Sequence, residues 1–548
     1  LSPRALFLLF RIYAGLLLAL CLGLSLYLSV ERQPEQPLRS VVSVWAGGVR
    51  QARDVTDGSP ERVLAEWRGR RGVTRVVEEV LDEGPVLSSS PILLFGAGFV
   101  PGSDGVEARL GEKVAYATVD DLHKLGAFDH FHPLGKMGLR LGIDPVQTQQ
   151  FLAKELGVTH EELLRRGRFR RVPMRRVSPP DRVPDVNREN LKAAALSAGR
   201  YLARHVRNDG SYRYEIDPIK NEDSPGYNWP RHSGATWYLA DVAIYSKDNA
   251  MQRAVERAAR RLAGYALVDC GEHRCIAEGE RADLGSAALA LLAFVEIVEG
   301  GLLPELEQPI RDLCAFIRSQ QRADGEFMHF YDRPAKKPID QQVLYYTGEA
   351  AFALSRASRI TNDKRDLEAA SRALTVLVDR PFWYVAWRYF WGAEHWTCHA
   401  MNDLWDRKPN RTALRFCLDW QESIRNLSIQ DRYASPAYAG ATSGGPFVPP
   451  SLGGSSSRME AAVSTLKAAQ RGGVSEKELK ALETGLRQTL GFLMRHQFQP
   501  GPRHLMVNGG QMHGGFPTSP INFKVRIDNP QHAGTGLLHY LEYLERGP

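Results

Sequence analysis

Cysteine is scarce in this chain, with six residues among 548. So few rule out a small fold framed by disulfides. No Gly-x-Ser-x-Gly elbow occurs, so nothing points to a serine nucleophile of that type. No Gly-x4-Gly-Lys-Ser/Thr loop occurs either, so nucleotide use is not indicated. Charge of one sign is also in short supply. The 70 Lys and Arg against 63 Asp and Glu leave a net charge of +7 at pH 7, a mild excess that does not point to nucleic acid. The apolar fraction is that of an ordinary globular protein, which excludes disorder and collagen.

Long apolar runs are missing with one exception. Residues 12–30, IYAGLLLALCLGLSLYLSV, carry no charge. They are long enough to cross roughly 30 Å of hydrocarbon as a helix. Arg4 and Arg11 precede the run, and no small-x-small cleavage site follows. The expectation is a retained single-pass anchor at 1–30 with the body extracytoplasmic (periplasmic if bacterial).

Five segments follow from composition. After the anchor, residues 31–72 read as a polar tether. Residues 73–164 alternate β-type runs with turn signals and read as a small α+β domain. Within it Pro101–Gly105 is a tight strand connection. A helix is expected near Asp120, and a second is marked by the capping pattern Thr159-x-x-Glu162. Residues 165–186 begin RRGRFRRVPMRRVSPPDR and read as an Arg/Pro-rich linker packing on its neighbour. The segment 73–182 is also where an envelope protein partner would dock.

From 187 to 548 the pattern is helical. Eleven stretches, from LKAAALSAGRYLARHV to TGLLHYLEYLE, carry apolar residues at three- and four-residue spacing, which predicts eleven or twelve helices. They also repeat. YLARHVRNDGSYRYEID and FIRSQQRADGEFMHFYD each run from an apolar helix through a Gly turn to an aromatic, and FLMRHQ leads to GGFPTS. Hairpins of this length predict a mainly α fold. The expected form is an α/α toroid whose loops line a cavity at one end, with a superhelical solenoid as the rival.

The QQRADGEF turn at Gln320–Phe327 resembles the glutamine–glycine–aromatic turn of terpene-cyclase toroids. Three further stretches resemble the six-hairpin glycosidase and sugar-epimerase superfamily more broadly. They are Tyr345–Ala350, Glu394–Trp396, and Arg526–Asp528 with Gln531 and His532. The resemblance covers residues 187–548 and implies the toroid, not one activity. Asp-rich DxDD and DDxxD runs are absent, which ranks a cyclase last.

Polar residues gather where small-residue helices begin. One such junction holds Trp229, Arg231 and His232. Others hold Glu280, Arg281 and Asp283, then Tyr345, Tyr346 and Glu349. Further along come Glu394, His395, Trp396, Cys398, His399 and Asp403, then Arg526, Asp528, Gln531 and His532. A weaker junction holds Arg458 and Glu460. In a toroid these turns converge on one mouth, where free helix N–H groups face a ligand. Aromatic faces beside carboxylates, His and Arg suit a sugar. Taken singly, each residue has a plainer role, and Asp283 in particular reads as a helix cap.

The expected function is therefore a carbohydrate-active enzyme, a polysaccharide hydrolase or lyase. Glu349, Glu394, His395, Asp528 and His532 are its candidate acid–base groups. Trp229, Arg231, His232, Asp283, Tyr345, Tyr346, Trp396, Arg458 and Arg526 are the candidate substrate contacts. A non-catalytic glycan- or protein-binding scaffold is the first alternative, and a sugar epimerase the second. No cofactor is called for. Cys398–His399 resembles the zinc ligands of lanthionine-synthetase toroids, but the second cysteine motif of that family is missing, so no metal is assigned. Cys270 and Cys275 bracket a loop that a disulfide would close in an oxidising compartment. Cys314 and Cys417 read as core residues.

Overall fold

The computed structural model describes residues 39–546 with breaks at 57–64, 68–69, 71–72, 74, 82–83, 85, 88–98, 129–142, 179–183, 381–394, 430–435, 443–449 and 500–501. No helix among the described residues is long and apolar enough to cross a membrane. The expected span at 12–30 lies outside them. The chain divides into two compact units, Leu1–Asp181 and Arg182–Pro548.

The first unit is built on an antiparallel sheet. Its strands are β1 (Arg39–Ala46), β2 (Val49–Thr56), β3 (Arg75–Leu81), β4 (Val86–Leu87), β5 (Asp104–Leu110), β6 (Lys113–Ala117) and β7 (Arg168–Ser178). The order is β2-β1-β3-β7-β5-β6, with β4 also on β7. Helices α1 (Val119–Leu125), α2 (Pro145–Leu156) and α3 (His160–Arg166) complete it. Thr159 caps α3, accepting the Glu162 N–H at 3.1 Å. The Pro101–Gly105 segment turns into β5, and Asp104 accepts the Val100 N–H at 2.6 Å.

Two expected boundaries are corrected here. The tether contains β1 and β2, and the linker contains the central strand β7. Arginine hid the strand period in β7. Phe169 and Val172 point into the core. Arg176 turns to Asp120 at 2.8 Å and to Glu79 at 3.9 Å. Burial, with Asp120 beside it, raises the Glu79 carboxyl to about 8. Arg176 thus meets acids on β3 and α1 of its own unit.

The second unit is a closed double ring. Six helices form the inner ring: α5 (Trp229–Ser246), α7 (Leu284–Glu299), α9 (Tyr346–Thr361), α11 (His395–Leu404), α13 (Leu452–Arg471) and α15 (Asp528–Arg546). Each packs on the next, and α15 returns to α5. The outer ring is α4 (Arg188–His205), α6 (Asn249–Arg261), α8 (Glu307–Ser319), α10 (Lys364–Asp379), α12 (Arg411–Asn426) and α14 (Glu476–His496). Outer and inner helices alternate along the chain, so the inner six run parallel. A closed ring of six hairpins is a toroid and excludes the solenoid. The eleven stretches leave out only α12, an amphipathic helix in which Phe416, Cys417, Trp420 and Ile424 are buried.

The repeat has a physical cause. Gly210 and Gly325 follow outer helices in the left-handed region, with φ of 83° and 95°. A Cβ on Gly210 would stand 2.2 Å from the Arg257 carbonyl of α6. The turn therefore needs glycine to lie on the next outer helix. Asp209 and Asp324 close these turns on the N–H groups of Ser211 and Glu326.

Two disulfides form. Cys270–Cys275 closes the hairpin of β10 (Leu267–Cys270) and β11 (His273–Glu278). Cys398–Cys417 ties inner α11 to outer α12, so Cys417 is a cross-link as well as a buried residue. Cys314 is free and buried.

Candidate functional site

Parallel inner helices bring their first turns to one end of the ring. Cross-ring contacts fix the level. Arg231 of α5 reaches Asp528 of α15, and a Cβ on Gly348 of α9 would meet Trp396 Cβ of α11 at 2.8 Å. Trp237, fully buried, closes the interior below. Its ring contacts Phe352, Trp396, His399 and His539.

His395, Glu460 and His532 meet at this end. Glu460 is on the third turn of α13 and is buried, while His395 and His532 lie on the first turns of α11 and α15. His532 Nδ1 donates to Glu460 Oε1 at 2.8 Å, and His399 Nε2 donates to Oε2 at 3.1 Å. The Ser464 hydroxyl is 2.8 Å from His399 Nδ1. Burial opposes charge on Glu460, but His532 and His399 outweigh it and hold its carboxyl down at about 2. Burial also opposes charge on His532, yet the Glu460 carboxylate raises its pKa above the usual imidazole value.

His395 is the opposite case. It is buried, and neither ring nitrogen has a hydrogen-bond partner among the described residues. Burial lowers its pKa well below the usual value, more than Glu460 offsets. Its ring stands 5.4 Å from the His532 ring at 81°. A neutral imidazole with bare nitrogens therefore faces an imidazolium held by a carboxylate. Such a pair can remove a proton and deliver one. The ligand atoms of His395, Glu460 and His532 also lie within 4.8 Å of one another, which is compact enough for a divalent cation. Both Glu460 oxygens are already hydrogen-bonded, so a cation there would have to displace the His532 contact.

Arginine commits Asp528. Arg526 grips it with Nε at 2.7 Å and Nη2 at 2.8 Å, and Arg231 Nε adds a third contact at 2.9 Å. Arg231 Nη1 also donates to Tyr214 Oη at 3.0 Å. Arg526 comes from strand β15 (Val525–Arg526), paired to β8 (Glu215–Asp217). Burial would raise the Asp528 pKa, but Arg526 and Arg231 hold it below the ordinary carboxylate value. Asp528 is thus a fixed anion at the rim.

Glu349 and Asp283 form a carboxyl neighbourhood on the side of α7 and α9. Asp283 caps α7, accepting from the Ser286 N–H and hydroxyl, each at 2.7 Å. The capping reading of Asp283 holds, and burial raises its pKa. Glu349 is 3% exposed, and burial plus the Asp283 charge raise its pKa well above the usual carboxyl value. Tyr345 is exposed at the rim, whereas Tyr346 packs beneath it, its ring 5.3 Å away.

Other expected contacts face elsewhere. Asn228 caps α5, and its side chain accepts the Arg231 N–H at 3.1 Å. His232 is fully buried behind that cap. The Tyr227 hydroxyl is 2.6 Å from its Nδ1, and its Nε2 donates to the Ala258 carbonyl of outer α6 at 3.0 Å. Burial lowers its pKa to about 4. Arg231 therefore lies on the rim, while His232 is a brace between rings. Trp229 packs on Tyr227, His232 and Tyr265, and Trp396 is interior wall. Arg458 lines a cavity of about 440 Å³ between α12, α13 and α14, with Met459, Leu418, Gln421, Leu482 and Leu486. Glu394 lies outside the described residues.

Glu460 and His399 are the residues sequence reasoning left without a role. Both sit at junctions the sequence marks. The available signal is a lone acid in SSSRMEAAVS, a run whose other residues are mostly small and buried.

No protein-family model and no curated protein matches the chain. Among solved structures, D-mannose isomerase superposes with a TM-score of 0.50 at 12% identity, over 67% of this chain and 100% of its own. Cellobiose 2-epimerase from Bacillus thermoamylovorans B4167 superposes at 0.48 and 12%, over 64% and 98%. An unsaturated glucuronyl hydrolase specific for heparin superposes at 0.48 and 11%, over 66% and 99%. The helical unit thus shares the fold of D-mannose isomerase, and that fold is an α/α toroid of six hairpins.

Proposed function

We propose that this protein is a carbohydrate-converting enzyme that works by proton transfer, as in epimerisation or isomerisation beside a sugar carbonyl. One observation carries the reading. His395 is a buried neutral base with bare nitrogens, and it faces His532, an acid kept charged by Glu460. His395 takes the proton from the carbon next to the carbonyl, and His532 supplies one. Arg231, Arg526 and Tyr345 line the rim where sugar hydroxyls would bind.

Hydrolysis is the second reading, and Glu349 favours it. A carboxyl held protonated beside Asp283 is a candidate glycosidic acid. Asp528 does not serve as its partner base, because two arginines neutralise it.

The test is solvent exchange. The body is incubated with aldoses and ketoses in D2O and followed by NMR, with His395→Gln alongside. Deuterium entering carbon, lost in H395Q, supports the proposal. New reducing ends without exchange favour hydrolysis. Binding without either leaves a scaffold.

Membrane anchoring and an extracytoplasmic body are part of the same proposal. They rest on the apolar run 12–30, and two disulfides in the body suit an oxidising compartment. A partner for the first unit rests on its arginine-dense composition alone.

A further inference from the structure

The proton-transfer reading leaves a buried carboxyl unused. Glu349 sits on the first turn of α9, and its Oε2 has no hydrogen-bond partner among the described residues. The space it fills exists because the second residue of α7 is glycine. A Cβ on Gly285 would stand 2.6 Å from Glu349 Oε2 and 2.3 Å from the Tyr346 ring. The nearest acid, Asp283, cannot help as a donor, since both its oxygens accept from Ser286. A carboxylate in this place would have no donor and a second carboxyl beside it. A carboxylic acid would carry no charge and would keep one O–H to give.

The mouth supplies somewhere to give it. Tyr345 is exposed there, and the Tyr346 ring packed 5.3 Å from it lies, like Glu349 Oε2, against Gly285. Glu349 therefore borders the same opening as the rim arginine. The next inner helix, α11, begins with His395 and packs on α9 beside Gly348, and His532 faces His395.

We infer that Glu349 is a neutral carboxylic acid that donates a hydrogen bond to the carbonyl oxygen of the bound sugar. The inference rests on the proton-transfer reading. In the step, the C–H bond beside the carbonyl breaks and its proton goes to His395. The electron pair forms the new C=C bond, and the carbonyl π pair moves to oxygen. That oxygen, now an enediolate, accepts the Glu349 O–H bond while Glu349 keeps its proton. His532 then delivers a proton to carbon, the carbonyl reforms, and solvent resets both histidines. A donor aimed at developing negative charge in a dry site is among the larger rate contributions available to an enzyme.

Two variants and one spectrum test this. Glu349→Gln keeps a neutral donor of the same shape, and Glu349→Ala removes it. E349Q should keep kcat within about tenfold, while E349A should lose about 100-fold or more with little change in KM. A parent-minus-E349Q infrared difference spectrum at neutral pH should show the C=O stretch of a protonated carboxyl. The infrared result does not depend on activity or on substrate. Equal loss in E349Q and E349A would overturn the donor role. A carboxylate band would overturn the neutral state. If the parent exchanges no carbon-bound proton with any sugar, the reaction reading falls and the donor role with it, while the spectrum still decides the protonation.

Discussion

His532 donates through Nδ1 to Glu460 Oε1 at 2.8 Å, across the gap between two neighbouring inner helices. The other Glu460 oxygen is held by His399, so the carboxylate is fixed and cannot turn away from His532. This contact sets the protonation of the site, because it keeps His532 charged beside a histidine that burial keeps neutral.

Glu460→Gln removes that charge while keeping a carbonyl acceptor. The His532 pKa then drops. Activity needs protonated His532 and falls as pH rises through its pKa, so the alkaline limb of kcat/KM should move to lower pH. The rate at neutral pH should fall about 100-fold, the low end for losing a positioned acid. A pH–rate profile of E460Q that overlays the parent would remove Glu460 from the mechanism.

His232 and His395 separate structure from chemistry. His232→Ala breaks the bonds to Tyr227 and to the Ala258 carbonyl. It should cost about 1–3 kcal/mol of stability, the penalty for buried groups left unsatisfied. The folded fraction should still turn over substrate. His395→Gln should do the reverse, with Tm nearly unchanged and exchange abolished. Thermal melts and NMR exchange on the same samples decide between them.

Asp528 stabilises the fold in a pH-dependent way. Its folded pKa is depressed, so the contribution is present above the unfolded value of about 3.9 and is lost as pH falls through the folded pKa. Asp528→Asn should therefore be less stable than the parent at pH 6, with the difference shrinking on acidification. Denaturant midpoints across the acid range measure it.

Glu349 should show the opposite sign. Its folded pKa is raised, so stability is full below the unfolded carboxyl value of about 4.3 and is lost as pH rises toward the folded pKa. Glu349→Gln should gain on the parent steadily over that window. A constant difference between the two would mean Glu349 ionises as freely folded as unfolded.

The Cys398–Cys417 bond spans 19 residues and holds the helix that carries His395 and His399. Cys417→Ser should cost about 2–4 kcal/mol and slow turnover. Tm of the parent with and without reductant should show the same drop, and the variant should not respond to reductant at this bond. Chelators should leave activity unchanged. A loss restored by zinc or manganese would reassign His395, Glu460 and His532 as ligands.

Helices carry their own signal, and the toroid was legible for that reason. Three- and four-residue spacing marked eleven of the twelve ring helices, and the Asp-Gly turns marked the repeat. Capping chemistry was legible at Thr159 and Asp283, because a cap bonds within three residues of itself. The strands were harder. Five arginines in the eleven residues of β7 made it look like a linker, and acids of neighbouring elements explain Arg176.

The sequence by itself determined the parts: which segments are helices, where they start, and that His, Glu and Arg gather at those starts. Tertiary structure decided the partners. His232 and Arg231 are adjacent in the chain, but one helical step of about 100° turns them to different sides of α5. One braces an outer helix and the other reaches the rim. Glu460 and His532 are 72 residues apart and meet only because the ring closes. Local periodicity fixes which face a residue takes, and ring closure alone fixes what that face meets.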